Sequence, residues 1–159
     1  MIIGADKLPS VREQHANEKL VLTSGTFDLL HVGHLNYLEQ VKKYGDVVVV
    51  LLSGDNRVKA RKGSKRPIIP EAQRAQMLDA LEYVDYVLID PSELSPDQED
   101  PVHAEILQQL RPDFYVTDGP DPRFYNLMDK EQFIVLERLQ LEPSTTSIIQ
   151  RIESQALSE

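Results

Sequence analysis

Leu20-Val21-Leu22-Thr23-Ser24-Gly25-Thr26-Phe27-Asp28-Leu29-Leu30-His31-Val32-Gly33-His34 decides how the rest of the chain is read. Its first five residues form the apolar run of a buried strand, and Leu35, Leu38 and Val41 follow at a spacing of three, which gives an apolar helical face. The stretch between them is therefore a strand, a tight turn and a helix start. Gly25 suits the turn because glycine tolerates backbone angles that other residues resist, and the missing side chain of Gly33 lets a ligand approach the first helical turn. A helix N-terminus offers unpaired N–H groups and the positive end of its dipole, so it welcomes an anion. His31 and His34, three residues apart, are neighbours on one side of that turn and add ring donors to it. The pattern predicts a phosphate-binding turn.

Working outward, the helix over 33–44 stops near Gly45, and Asp46 to Leu52 is too continuously apolar for a half-exposed strand. It belongs in the middle of a parallel sheet covered on both faces. The polar stretch 56–66 contains six basic residues, Arg57, Lys59, Arg61, Lys62, Lys65 and Arg66, and reads as a loop at the carboxyl edge of the sheet, where ligands of open α/β folds bind. Pro70 opens a helix whose apolar face is Met77, Leu78 and Leu81, with Arg74 on a different side. Strands follow at 84–89, 113–116 and 133–136, with a helix over 103–110 and a last helix capped by Ser144. The acidic, proline-containing run from Asp90 to Pro101 is the segment expected to move most. Residues 1–19 read as a frayed lead-in with a solvated His15, and 153–159 as a tail. His103 reads as structural or solvated.

Strands alternating with helices predict one Rossmann-like α/β domain over 20–152, a parallel five-stranded sheet with helices on both faces. Strand one is not followed by Gly-x-Gly-x-x-Gly, which removes the main support for a dehydrogenase.

The chain of 159 residues has 17 basic and 26 acidic side chains, a net charge of −9, and no cysteine. That charge repels nucleic acid and anionic lipid, so an anionic small molecule has to be held by local positive groups. No thiol nucleophile or thiolate metal site is available. The longest aliphatic run, Val47 to Leu52, falls far short of the roughly 20 residues that span a bilayer, and the N-terminus lacks the layout of a signal peptide. A cytoplasmic protein without membrane or nucleic-acid partners is the expectation. Asp28, His31 and His34 at spacings of three also resemble ligands for zinc or iron, although Asp28 lies before the helix start and need not share a face with the histidines.

Gly-Thr-Phe-Asp-Leu-Leu-His-Val-Gly-His over 25–34 resembles the His-x-Gly-His signature of the cytidylyltransferase-like nucleotidyltransferases. Lys62-Gly63 with Arg66-Pro67-Ile68-Ile69-Pro70, the helix with Arg74 and Met77-Leu78, Arg111 to Val116, and Ser144-Thr145-Thr146-Ser147-Ile148-Ile149 are similar to further segments of that superfamily, in the same order. The resemblance implies transfer of a nucleotidyl group from ATP or CTP to a phosphorylated small molecule, with Mg²⁺ carried on the nucleotide and a homodimeric state. A substrate phosphate is already a nucleophile, so positioning and charge neutralisation can carry such a reaction.

By resemblance His31, His34 and Lys62 are catalytic. Gly25, Thr26, Phe27, Gly33, Asp118, Gly119, Ser144, Thr145 and Thr146 bind the nucleotide, and Asp28 and Arg74 face the acceptor, with no resident protein metal. The Arg-Pro-Ile-Ile-Pro run resembles the heptose-phosphate adenylyltransferase branch. Leu51-Leu52-Ser53-Gly54-Asp55, Thr117-Asp118-Gly119-Pro120-Asp121 and Leu141-Glu142-Pro143 differ from the segments usual in relatives. The alternatives are a glycerol-phosphate type cytidylyltransferase, a flavin mononucleotide adenylyltransferase, and a nucleotide-binding protein without turnover.

Overall fold

The computed structural model describes residues 1–92, 101–119, 121–137 and 143–156. In chain order the elements are β1 (Ile2–Ile3), α1 (Leu8–Gln14), β2 (Leu20–Gly25), α2 (Val32–Lys42), β3 (Val47–Leu52), α3 (Asp55–Lys62) and α4 (Glu71–Asp79). They continue with β4 (Tyr86–Ile89), α5 (Pro101–Leu110), β5 (Phe114–Thr117), α6 (Pro122–Tyr125), β6 (Phe133–Val135) and α7 (Thr145–Ala156). The strands pair in parallel in the order β1-β4-β3-β2-β5-β6. The sheet thus has six strands where the sequence pattern predicts five.

The continuous apolar run of β3 has the consequence expected of it. Side chains of a strand alternate between faces, so Val47, Val49 and Leu51 enter one core and Val48, Val50 and Leu52 the other, all buried. The first core is closed by Leu8 and Val11 of α1, Ile106, Leu107 and Leu110 of α5, and Phe124 of α6. The second is closed by Leu38 and Val41 of α2, Ala75 and Leu78 of α4, and Val84.

Residues 1–19 are part of the fold. β1 pairs with β4 at the sheet edge, and Leu8 and Val11 at i and i+3 bury one face of α1. Two strand residues and two helical turns are too short to show a period among charged neighbours. His15 is likewise bonded, its Nδ1 2.6 Å from Glu18 Oε1 and its Nε2 2.9 Å from the Tyr86 hydroxyl.

The basic stretch is a helix, α3, for most of its length. Its buried residues are only Arg57 and Val58, so it carries no apolar stripe to betray it, and it ends at Gly63, whose φ of 91° is glycine territory. On α4 the buried residues are Arg74, Ala75 and Leu78, while Met77 is exposed, which puts Arg74 on the inward face and not away from it. The acidic run expected to be mobile lies largely outside the described residues, as do 157–159 of the tail and most of the stretch preceding Ser144.

The chain leaves β2 towards β3 and β4 on one side and later returns to β5 on the other. β2 and β5 therefore flank the topological switch point, and open α/β sheets bind ligands at the carboxyl ends of such strands. The turn after β2 stands there.

Candidate functional site

The turn after β2 is shaped by strain at non-glycine residues. Phe27 and Leu29 both have φ of 48°, a conformation that costs an L-residue roughly 1–2 kcal/mol. Gly25 has no such angle; its role is clearance, since a Cβ there would sit 2.7 Å from the ring of Phe27. Gly33 is also a matter of clearance, because a Cβ would lie 3.0 Å from the His31 ring and 3.3 Å from the Pro143 carbonyl.

Asp28, between the two strained residues, holds the turn. Its carboxylate is 1% exposed and accepts from Arg66 Nε at 2.8 Å, from the Ile68 amide at 2.9 Å and from the Ile69 amide at 2.9 Å. Burial alone would raise its pKa; the two amides and the Arg66 guanidinium outweigh burial and hold the carboxyl below its ordinary range. Both oxygens are thus committed to the segment 66–69. That removes Asp28 from a zinc or iron ligand set and from direct contact with an acceptor, the role the resemblance gave it. Among the described residues no group of three or more His, Asp or Glu side chains is arranged to hold a metal ion.

Arg74 is enclosed as well, 1% exposed. Its guanidinium donates to the carbonyls of Ile69 (2.8 Å), Thr26 (2.5 Å) and Ser53 (3.0 Å) and to Asp55 Oδ1 (2.7 Å). A planar fork with five N–H donors meets four acceptors on three segments of the chain, which a lysine could not do. Arg74 is a scaffold residue behind the turn and faces no acceptor.

His31 caps α2 from an extended conformation, with no side-chain bond closing the helix end. Its ring stacks on that of His34, centroids 3.8 Å apart and planes at 22°. Each Nδ1 is buried without a hydrogen-bond partner. A buried N–H without an acceptor costs more than a buried lone pair, so the favoured tautomer is neutral with the proton on Nε2, which makes each ring a donor. Burial lowers the pKa of His31. For His34, burial first and then the charges of His31 and Lys62 bring it to about 4.

A second helix end arrives beside this pair. Thr145 Oγ1 donates to the Asp28 carbonyl at 2.8 Å and pins α7 to the turn. Ser144 Oγ accepts from the Ser147 amide at 3.1 Å while Ser147 Oγ accepts from the Ser144 amide at 2.9 Å, a reciprocal cap that confirms the helix start read from the sequence. The hydroxyls of Ser144 and Thr145 are thus engaged within the fold, and that of Thr146 is exposed.

Two helix N-termini, α2 and α7, converge on the stacked histidines. By contrast, α3 and α4 close each other's ends: the Asp55 amide donates to Glu71 Oε2 at 2.5 Å and the Glu71 amide to Asp55 Oδ1 at 2.9 Å. These two ends supply their own carboxylates, whereas the first turns of α2 and α7 carry none.

Of the sequence-predicted residues, Gly25, Thr26, Phe27, Asp28, His31, Gly33, His34, Lys62, Ser144 and Thr145 meet around this turn. Lys62 lies near enough for its charge to act on His34. Asp118 and Gly119 stand at the end of β5, where the Thr117 hydroxyl bridges to the Gly119 carbonyl at 2.9 Å and Tyr37, half-buried, donates to the Val116 carbonyl at 3.0 Å. Three residues escaped the sequence reading of the site. Arg66 clamps Asp28, Arg61 donates to Thr26 Oγ1 at 2.7 Å, and Asp121 receives the Tyr115 hydroxyl at 2.7 Å. The arginines belonged to a basic run in which no individual position stood out.

A model of the cytidylyltransferase-like family matches residues 22–151. The bifunctional protein HldE of Helicobacter pylori (strain HPAG1) is 37% identical over 154 residues, which are 96% of this chain and 31% of that protein. The bifunctional protein HldE of Geobacter metallireducens is 44% identical over 107 residues, 67% of this chain and 20% of that protein. The chain therefore spans about a third or less of the length of these curated relatives.

Among solved structures, the lipopolysaccharide core biosynthesis protein of Thermoplasma volcanium superposes with a TM-score of 0.54 at 26% identity, covering 74% of this chain and 92% of that one. Pantoate-beta-alanine ligase of Francisella tularensis shares the fold, with a TM-score of 0.60 at 19% identity over 100% of this chain and 79% of that one. The match of the family model over residues 22–151, together with the identity to the HldE proteins, shows that this chain belongs to the cytidylyltransferase-like family.

Proposed function

We propose that the chain transfers a nucleotidyl group from a nucleoside triphosphate, ATP in the first instance, to a phosphorylated sugar of the heptose-phosphate kind and releases pyrophosphate. The observation that carries this reading is the convergence of two helix N-termini on the neutral, stacked His31 and His34 at the switch point of the sheet. The similarity to HldE proteins and to a lipopolysaccharide core biosynthesis protein supports a sugar-type acceptor.

In the reaction, an oxygen of the acceptor's phosphate attacks the α-phosphorus of the nucleotide. The bond to the α–β bridging oxygen breaks, and pyrophosphate leaves with that electron pair. No protein nucleophile is needed. His31 and His34 donate through Nε2 to the α-phosphate, where charge builds in the transition state. Lys62 offsets charge on the acceptor phosphate or the leaving pyrophosphate, and the backbone of 25–27 with the first turn of α7 cradles the remaining phosphates. Thr146 extends that cradle, and Asp118 and Gly119 border the space for the base. Asp28 and Arg74 act from behind, by fixing the turn. A magnesium ion would be carried on the triphosphate rather than held by protein ligands, and it would neutralise phosphate charge there. Use of the site by a homodimer in the cytoplasm, without nucleic-acid or membrane partners, completes the proposal.

Thermal unfolding with ATP, CTP, GTP or UTP and Mg²⁺ tests donor choice. A ligand at about 100 times its dissociation constant stabilises the folded state by roughly 2.7 kcal/mol. ATP is expected to give the largest shift; a shift confined to CTP would replace the adenylyl reading with the cytidylyl one.

A further inference from the structure

A second charged cluster is buried at the carboxyl end of β4, outside the phosphate-binding turn. Arg57 leaves the inward side of α3; its Nη1 donates to Ser92 Oγ at 2.6 Å, and its Nε lies 3.8 Å from Asp90 Oδ2. His103 of α5 brings its Nε2 to 3.0 Å from the same oxygen, and the Ser92 amide donates to Asp90 Oδ1 at 3.0 Å. Arg57 is 3% exposed, Asp90 5%, Ser92 6% and His103 0%. Burial pushes the Asp90 carboxyl up, but the bonds from His103 and Ser92 prevail and keep it below the ordinary range. The carboxylate is therefore charged and is held from the β4 side and from α5, independently of α3.

Apolar residues of the same volume could fill such a space without the cost of desolvating two charges, so an ion pair here is better explained by what it orients than by stability. What it orients is α3. That helix buries only Arg57 and Val58 and has no hydrophobic ridge to set its rotation and height. Yet α3 carries Arg61, bonded to Thr26 Oγ1, and ends in Lys62, about 7.5 Å along the axis from Arg57 at 1.5 Å per residue.

We propose that Asp90, acting through Arg57, is a positioning residue for nucleotidyl transfer: the buried pair fixes α3 so that Lys62 stands at the triphosphate. The proposal rests on the transfer reading of the site. The test compares full-length wild type and Asp90→Asn by amide hydrogen exchange and by steady-state kinetics, the latter in both wild-type and Lys62→Ala backgrounds.

Asp90→Asn is expected to speed exchange of the α3 amides about tenfold while leaving those of β3 unchanged. It should lower kcat/KM for the nucleotide about tenfold in the wild-type background and less than about twofold where Lys62 is already absent. Unchanged α3 exchange, or an equal loss in both backgrounds, would overturn the proposal. If Asp90→Asn does not fold, Ser92→Ala keeps both charges and removes one partner of Arg57, and the same exchange criterion applies to it. Fast exchange confined to α3 in proteins that all lack turnover would remove the transfer reading and leave the anchor standing; normal turnover with unchanged exchange would do the reverse.

Discussion

His31 and His34 act as a pair because neither can take a proton without harming the other. Each Nδ1 is buried, the rings are stacked, and His34 is brought to about 4 by burial, by His31 and by Lys62. An unfolded histidine titrates near 6.5, so between about pH 6.5 and 4 the unfolded chain binds a proton that the folded chain refuses. The stability contributed by neutral His34 is thus full above pH 6.5 and is lost as pH falls towards 4. Melting temperatures of the ligand-free protein should therefore fall more steeply from pH 7 to 5 in wild type than in His34→Asn; parallel curves would contradict the neutral pair. His31→Ala or His34→Ala should lower kcat on the order of 10²-fold or more, as loss of a transition-state donor does, with the melting curve still cooperative. Wild-type turnover in either variant would refute their role. These histidines were legible in the sequence because their spacing on one helix end is itself the functional geometry. Asp28 and Arg74 were legible as site residues but not in role, since residue type cannot show that Ile68, Ile69, Thr26 and Ser53 use up their bonding groups.

At the scale of elements, long patterned segments could be read and short or unpatterned ones could not. β3 announced itself through six consecutive buried aliphatics, and α2 and α5 through apolar residues at helical spacing. α3 buries one arginine and one valine, so no hydrophobic period marks it, and what remains visible in the sequence is charge. β1 and α1 are held by pairing to β4 and by Leu8 and Val11, contacts that only the tertiary fold supplies. Leu8→Ala measures this directly. A fully buried leucine replaced by alanine costs roughly 2–5 kcal/mol, whereas a residue of a frayed lead-in would stay within about 0.5 kcal/mol. Urea unfolding should show the larger loss, and a loss below 1 kcal/mol, read against those same ranges, would detach α1 from the core.

For the molecule as a whole, an acidic chain with a net charge of −9 builds a site for polyanions by concentrating local devices at one place. The switch point between β2 and β5 brings two helix ends together, α3 adds cations from the side, and the carboxylates of Asp55 and Glu71 close the ends of α3 and α4. That the sheet is parallel was legible from the alternation of strands and helices; the strand order that creates the switch point was not. The convergence of α2 and α7 was not legible from residue patterns, because it joins segments more than 100 residues apart, and only the family resemblance implies it. Nucleotidyl transfer at that convergence is tested most directly by pyrophosphate release from ATP and Mg²⁺ with phosphorylated sugars offered as acceptors. Release is expected to depend on a sugar phosphate and to yield one nucleotidyl-sugar product for each pyrophosphate. Tight ATP binding without pyrophosphate release for any phosphorylated acceptor would contradict it and leave a nucleotide-binding protein on the same fold.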